Sequence, residues 1–509
     1  MIVFDSNPPQ GTVRDWLDYH ADATGSSIAY KFTDGSTPLS WFDMRNRARN
    51  IAQYLTKLGL NKGESLAVMM PNSKSALEAL FAGIYGGFRV TMINLSAGND
   101  AISYALEHCE ARYAFVSSDQ QAKFNAARHN GVSALPEIMS EDFNNRLHAI
   151  NAADDALLMY TSGTTGRPKG VLHSHSSLLA GGWTTAMAHA LTPDDCGYCV
   201  LPICHINGLC VSVMGCLISK SQLLIAPRFS AGQFWDDIEV GAATWFSAVP
   251  TIISHLLHGA RNPNDINKSK LRFGRSASSA LAPEVQSAFE ARFDVPIIET
   301  MGMTETAAQV LSNPLPPGQR KIGSPGVAFG NDVKILKQNH SAANTAEQGE
   351  IAVRGPNIMK EYFKNPQATR AAFTQDGWLL SGDLGHKDPD GYVYVTGRLK
   401  ELIIKGGENI APREIDEALY SHADVIEAAA FTQPCGKYGE RVEAAVKIKQ
   451  GSTVTAQTLI EICKERVGAF KTPDAVYVLK ELPKGPSGKI QRLKIAELVA
   501  KPSSSKKTE

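Results

Sequence analysis

Between residues 38 and 60, apolar side chains recur at Trp41, Met44, Ala48, Ile51, Ala52, Leu55 and Leu58 among polar positions. That spacing predicts an amphipathic helix. Residues 65–70 follow as a short, nearly unbroken apolar run that reads as a buried strand, residues 76–85 as another helix and residues 113–116 as another strand. The same rhythm returns after residue 170, with strands expected at 200–202, 223–226 and around 245–249. Alternation of this kind predicts an α/β protein in which parallel sheets are covered by helices. Residues 350–354 and 392–396 have the shorter alternating look of an antiparallel piece, and no internal repeat is apparent. The clearest boundary falls at 396–400. After it, a compact strand-helix pattern of about a hundred residues has the size of a small domain. The expected division is therefore a large N-terminal domain over 1–398, a small α+β domain over 399–500 and a polar, basic tail over 501–509 that frays into solvent.

A chain of 509 residues is too long for one ordinary core and suggests a multi-lobed protein. Lys+Arg and Asp+Glu both total 51, so no global field draws it to nucleic acid or a membrane surface. No apolar run reaches the length that spans a bilayer. Residues 1–10 have neither a basic start nor an apolar core, so a cytoplasmic location is expected. Five of the eight cysteines crowd between Cys196 and Cys216, and Cys196 and Cys199 have C-x-x-C spacing. No second such pair accompanies them, and their apolar neighbours suit reduced thiols packed as small hydrophobes.

The densest chemistry lies at Tyr160-Thr161-Ser162-Gly163-Thr164-Thr165-Gly166-Arg167-Pro168-Lys169-Gly170. Glycines let backbone N–H groups approach phosphate oxygens, hydroxyls add donors and Lys169 adds charge, which together make an anion cradle. The spacing is not that of a Walker A loop, which needs four residues between its glycines and Lys-Ser/Thr straight afterwards.

This string resembles the phosphate-binding signature of the adenylate-forming superfamily, which includes acyl-CoA synthetases, luciferases and peptide synthetase adenylation domains. Met301-Gly302-Met303-Thr304-Glu305 is similar to that family's second nucleotide motif, and Ser381-Gly382-Asp383 to its ribose-binding segment. Gly397-Arg398-Leu399-Lys400-Glu401 is similar to its hinge, and Pro483-Lys484-Gly485-Pro486-Ser487-Gly488-Lys489 to its catalytic-lysine loop. Five motifs in the right order cover nearly the whole chain. The resemblance implies a large N-terminal domain with a small mobile C-terminal lid, and ATP, Mg²⁺ and CoA as reaction partners. A carboxylate is a poor acyl donor because its leaving group would be oxide. Activating it with ATP brings one anion onto another, so the enzyme must supply positive charge and in-line positioning.

Carried onto this sequence, the resemblance assigns the polyphosphate to Thr161, Ser162, Gly163, Thr164, Thr165, Gly166 and Lys169, and adenine to Ser278, Ser279, Ala280, Met301 and Gly302. Met301 stands where many relatives have Tyr, and offers only a soft, polarizable face. Glu305 would hold Mg²⁺ with the Thr304 hydroxyl near the α-phosphate, a helix-capping pair being the alternative. Asp383 would accept from the ribose hydroxyls and Arg398 would assist, the alternative being a loop salt bridge. Lys489 would reach the acyl and phosphate oxygens, unless it is simply a solvated lysine. Lys400 would be the hinge pivot. Lys405, Gly406, Gly407 and Glu408 would border a narrow channel for CoA, or form a plain β-turn.

The segments that build the acyl pocket resemble oxalate- and malonate-type CoA ligases and point to small, polar acids. A second anionic group would need a cation, with Arg275 and His205 as candidates; a structural ion pair is the alternative for Arg275. Cys204 and Asn207 depart from the Phe and His usual in those ligases, which leaves sulfoacetate, malonate or another short acid open beside oxalate. The expected activity is an AMP-forming acid–CoA ligase. A rival passes the acyl group to a separate carrier-protein thiol, and a silent scaffold is disfavoured by Lys169, Glu305, Asp383 and Lys489 together. A hydrolase lacks support, because the segment 274–278 misses the second glycine of a nucleophile elbow.

Overall fold

The computed structural model describes residues 7–127, 131–135, 142–161, 168–485 and 488–500. The expected helix spans Trp41–Lys57, buries Trp41, Met44, Ala48, Ile51, Ala52 and Leu55, and starts at a capping box. There the Ser40 hydroxyl donates to Asp43 while accepting from the Asp43 N–H, satisfying donors that the first turn leaves free. Strand Ser65–Met69, helix Lys74–Gly86 and strand Ala111–Val116 follow as the pattern predicts.

Two large sheets sandwich helices between them. A nine-stranded sheet carries the run Gln222–Ile225, Cys196–Cys199, Trp245–Ala248, Phe273–Ser276 and Ile297–Met303 in parallel register. A seven-stranded sheet is built on Ala111–Val116, Ser65–Met69, Arg89–Met92 and Asp155–Thr161, also parallel. The largest core cluster fills the space between them, drawing Leu66 and Val90 from one sheet, Tyr30 and Trp245 from the other, and Trp41, Phe81 and Leu178 from the helices. Both faces of such strands are covered, so most of their residues are buried on both sides and burial does not alternate.

A four-stranded antiparallel sheet contains Gly349–Arg354, Leu379–Lys387 and Val393–Arg398, as the alternating segments predict. A last sheet, beginning with Ile403–Lys405 and centred on Val425–Cys435 paired with Gly439–Ile448, has its own core around Ile415, Leu419 and Leu459. The change of sheet thus falls between Arg398 and Ile403.

One expected strand is displaced. Residues 200–202 lie just past the end of Cys196–Cys199. Val200 and Leu201 are buried, but the Leu201 carbonyl accepts from the Asn72 side chain and the Cys199 thiol, not from a ladder partner. Burial was legible there, whereas the hydrogen-bond partner was not. All eight cysteines are free, and Cys196 and Cys199 are buried within that strand. Among the described residues, no helix is long and apolar enough to cross a membrane. The tail 501–509 lies outside the described residues.

Close packing also fixes Gly302, near the end of strand Ile297–Met303. A Cβ there would sit 1.7 Å from the backbone oxygen of Ala308 on the neighbouring strand. Gly302→Ala is expected to cost about 3 kcal/mol of stability, seen as a lower urea midpoint.

Candidate active site

The carboxyl ends of the parallel strands in the nine-stranded sheet open into a cleft, as open α/β sheets do. The cleft encloses about 1320 Å³, part of it open to solvent. Ser278, Ser279 and Ala280 enter it from the turn after Phe273–Ser276, where Ser278 takes a left-handed φ of 73°. Met301 and Gly302 enter from the end of the next strand. The antiparallel sheet contributes Asp383 and Arg398, neighbours across paired strands, with Arg398 Nε donating to Asp383 Oδ1 at 2.5 Å. The salt bridge offered as the alternative for these residues is therefore present, and it forms part of the cleft wall. The Asp383 charge, followed by desolvation acting the other way, sets a net upward shift of the Arg398 pKa.

The C-terminal part delivers Lys489 to the same cleft. Its Nζ lies 3.5 Å from Glu401 Oε1, so it is not a freely solvated lysine. Desolvation lowers its pKa first, and the Arg398 charge lowers it further, against Glu401 and Asp383. Glu401 also faces Arg492 at 3.6 Å, and Arg492 pairs with Asp416 at 2.5 Å. These rim residues were missed as site residues: Glu401 stands within the hinge motif, but Arg492 and Asp416 carry no local signal.

Thr304 and Glu305 lie on a short 3₁₀ turn after Met303. The Met303 N–H is capped by Thr306, so the Thr304/Glu305 capping alternative does not describe this turn. Glu305 is buried and accepts from the Tyr362 hydroxyl at 2.7 Å. Among the described residues it has no ion-pair partner within 4 Å, so its charge suits a cation. The Thr304 carbonyl faces His173 Nε2 at 2.7 Å; burial lowers the pKa of that imidazole to about 4. Lys169 Nζ lies 4.4 Å over the Tyr362 ring, so one aromatic side chain touches both Glu305 and Lys169. Thr161 and Lys169 face each other across antiparallel strands at the mouth of the hydroxyl-rich loop. Ser162, Gly163, Thr164, Thr165 and Gly166 lie outside the described residues.

Arg275 is 1% exposed, on strand Phe273–Ser276. Its guanidinium donates to Asn207 Oδ1 at 2.8 Å, Ser247 Oγ at 3.1 Å and Gln309 Oε1 at 3.3 Å. All three acceptors are neutral, and the ion pair offered as the alternative has no partner among the described residues. Desolvation lowers its pKa to about 9. Asn207, at the start of a π-helical turn over Asn207–Met214, also donates to Ser278 Oγ at 3.2 Å and so joins Arg275 to the cleft. The turn type suits a functional site. Asn207 was noticed only as a departure, and Gln309 gave no signal at all. His205 stands two residues away; its Nε2 is buried without a hydrogen-bond partner among the described residues, and burial lowers its pKa to about 4.

Other named residues lie elsewhere. Lys400 is exposed on the 3₁₀ turn Leu399–Glu401. Gly406 and Gly407 form a tight hairpin turn with φ of 60° and 88°, so the β-turn is real. Lys405 folds away onto the Phe470 carbonyl at 2.9 Å. Neither Lys405, Gly406, Gly407 nor Glu408 lines the cleft.

These features together define a nucleotide-dependent enzyme, and sequence comparison agrees. The AMP-binding enzyme family matches residues 17–363, and its C-terminal domain matches residues 414–489. The chain belongs to the AMP-binding enzyme family. It is 42% identical over 475 residues to a sulfoacetate–CoA ligase of Cupriavidus necator, covering 91% of this chain and 93% of that protein. An oxalate–CoA ligase of Arabidopsis thaliana is 33% identical, with coverage of 97% and 99%. The fold matches O-succinylbenzoate coenzyme A synthetase from Bacillus subtilis in complex with ATP and magnesium ion. That match has a TM-score of 0.83 and 28% identity, and covers 94% of this chain and 98% of that one.

Glu299, also unrecognised in the sequence, lines the cleft and is 2% exposed. Burial raises its pKa from 4.5 to about 6, against the Arg413 charge and the Leu281 N–H. The folded chain thus holds this proton to higher pH than the unfolded chain, so stability falls as pH rises from about 4.5 to about 6. Glu299→Gln removes that loss. The stability gap between variant and wild type is expected to grow by about 2 kcal/mol across that window and stay level above it, as read by urea unfolding at pH 4.5, 6 and 8.

Proposed function

We propose that this chain is an AMP-forming acid–CoA ligase whose acid carries a second anionic group, with sulfoacetate the first candidate. The observation that carries the reading is Arg275: a buried cation whose partners among the described residues are all neutral, tied through Asn207 to the nucleotide cleft. A carboxylate or sulfonate on the acid would supply the missing countercharge, and a forked guanidinium suits either. His205, neutral and with an unpaired buried nitrogen, would offer a further hydrogen bond. The 42% identity to a sulfoacetate–CoA ligase over most of both chains supports that acid.

In the first step an acid carboxylate oxygen attacks the α-phosphorus of ATP and pyrophosphate leaves. Lys489 neutralises charge developing on the phosphate and acyl oxygens. Lys169 and residues 161–166 hold the polyphosphate. Ser278, Ser279, Ala280, Met301 and Gly302 flank adenine, while Asp383, oriented by Arg398, accepts from the ribose hydroxyls. Glu305 would hold Mg²⁺, which would neutralise charge on the phosphates, and the Thr304 hydroxyl would serve the α-phosphate. In the second step the CoA thiol attacks the acyl carbon and AMP leaves. The turn at Lys405, Gly406, Gly407 and Glu408 lies away from the cleft, so its service as a CoA channel requires the residues after 398 to rotate as a unit about Lys400. Dependence on ATP and CoA supports the cytoplasm as the location.

Incubation of the protein with ATP, Mg²⁺ and CoA against oxalate, malonate, sulfoacetate, acetate and benzoate, read by mass spectrometry, is expected to give sulfoacetyl-CoA and AMP. AMP without thioester would favour a carrier-protein acceptor, and no product with any acid would refute the substrate class. Arg275→Ala should lower kcat/KM for a dianionic acid on the order of 100-fold while changing acetate little. Equal losses on both would refute the second-anion role. Lys400→Pro should spare pyrophosphate exchange and slow thioester formation from preformed acyl-adenylate; equal loss of both half-reactions would count against rotation there.

A further inference from the structure

Glu427, on strand Val425–Cys435, is fully buried, yet an imidazole and an ammonium meet it from two directions. His255 Nε2 lies 2.8 Å from its Oε1, and Lys484 Nζ lies 2.7 Å from the same oxygen. Burial works against the carboxylate, but the hydrogen bonds from His255 and Lys484 outweigh it and hold the pKa below the usual range. A buried ionic cluster of this kind rarely improves stability over an apolar packing of the same volume. What it does provide is a fixed relative position for the elements it joins.

Those elements are informative. His255 belongs to helix Pro250–Leu257, whose first turn borders the cleft. Lys484 stands five residues before Lys489, and its backbone pairs with Ile490. The same helix touches the C-terminal part at two more points. Thr251 Oγ1 donates to the Gly488 carbonyl at 3.1 Å, and Ser254 Oγ donates to the Ile426 carbonyl. Positions 251, 254 and 255 share one face of a helix. Gly488 is pressed against that face, since a Cβ there would meet Val249 at 2.9 Å and Thr251 at 3.2 Å. Beyond Lys489, Arg492 anchors to Asp416 and to the Ala430 carbonyl. The lysine is thus suspended between two anchored ends, one of them Glu427.

We propose that Glu427 is a positioning residue for Lys489: it binds helix Pro250–Leu257 on one side and Lys484 on the other, and so sets where Lys489 stands in the cleft. The proposal rests on the reading of Lys489 as the cation of the adenylation step. Neither His255 nor Glu427 touches the cleft, so an effect on that step must pass through Lys489.

The test compares wild type, Glu427→Gln, His255→Ala and Lys489→Ala as full-length protein. His255→Ala leaves the Glu427–Lys484 pair intact and strands no charge, so it covers the case in which Glu427→Gln fails to fold. The position of Lys489 is read without any acid present, by acetic anhydride labelling against exposed Lys270 with peptide mass spectrometry. Labelling is expected to change by roughly 5-fold or more in either Glu427→Gln or His255→Ala. Sulfoacetate-dependent pyrophosphate exchange should fall on the order of 10- to 100-fold in Glu427→Gln. That loss should largely vanish in a Lys489→Ala background, because residues acting as a unit are not additive. Unchanged labelling in both variants overturns the proposal whatever the substrate. An equal further loss in the Lys489→Ala background overturns it too, by showing an effect independent of the lysine. Full exchange in Lys489→Ala alone would instead overturn the reading of that lysine as catalytic.

Discussion

The Arg275 guanidinium sits among the neutral oxygens of Asn207, Ser247 and Gln309, with desolvation drawing its pKa down to about 9. Burying a cation without a counter-anion is costly, and here three neutral acceptors share the compensation. Much of the surrounding structure serves to hold it there. The parallel strand Phe273–Ser276 carries it, the adjoining strand Trp245–Ala248 brings Ser247 beside it, and the antiparallel strand Ala308–Ser312 supplies Gln309. The π-helical turn from Asn207 then joins this buried charge to Ser278 at the cleft.

A second cation reaches the cleft by a different route. Lys489 comes from the end of the chain, and its charge is shared with Glu401, Arg398 and Asp383. The helix Pro250–Leu257 meets the C-terminal part through Thr251, Ser254 and His255. The two cations thus differ in setting: Arg275 is locked in the core, whereas Lys489 lies on the stretch between Lys484 and Arg492, both of which are ion-paired.

The alternation of apolar runs with helical patterns was enough to expect parallel sheets covered by helices, and helix Trp41–Lys57 starts within a few residues of where its pattern begins. Residues 200–202 failed because burial and strand pairing give the same apolar signature. Within the candidate site, Ser278, Met301, Gly302, Asp383, Arg398 and Lys489 were all named from motifs, and one cleft gathers them. Motifs mark residues whose neighbours along the chain are also constrained, which is what makes them readable. Glu299, Asp416, Arg492, Gln309 and Glu427 fall outside the motifs themselves. Each is an ordinary charged or polar residue whose meaning comes from what folding places against it.

Sequence by itself determined the family, the α/β architecture and the kinds of side chain that could handle a nucleotide, because periodicity and motif spacing are local properties of the chain. Only the tertiary structure decided that Arg275 has no anionic partner among the described residues, that Asp383 and Arg398 are paired and that the Gly406–Gly407 turn stands away from the cleft. Charge balance and desolvation depend on which distant segments meet, and no pattern along the chain records that.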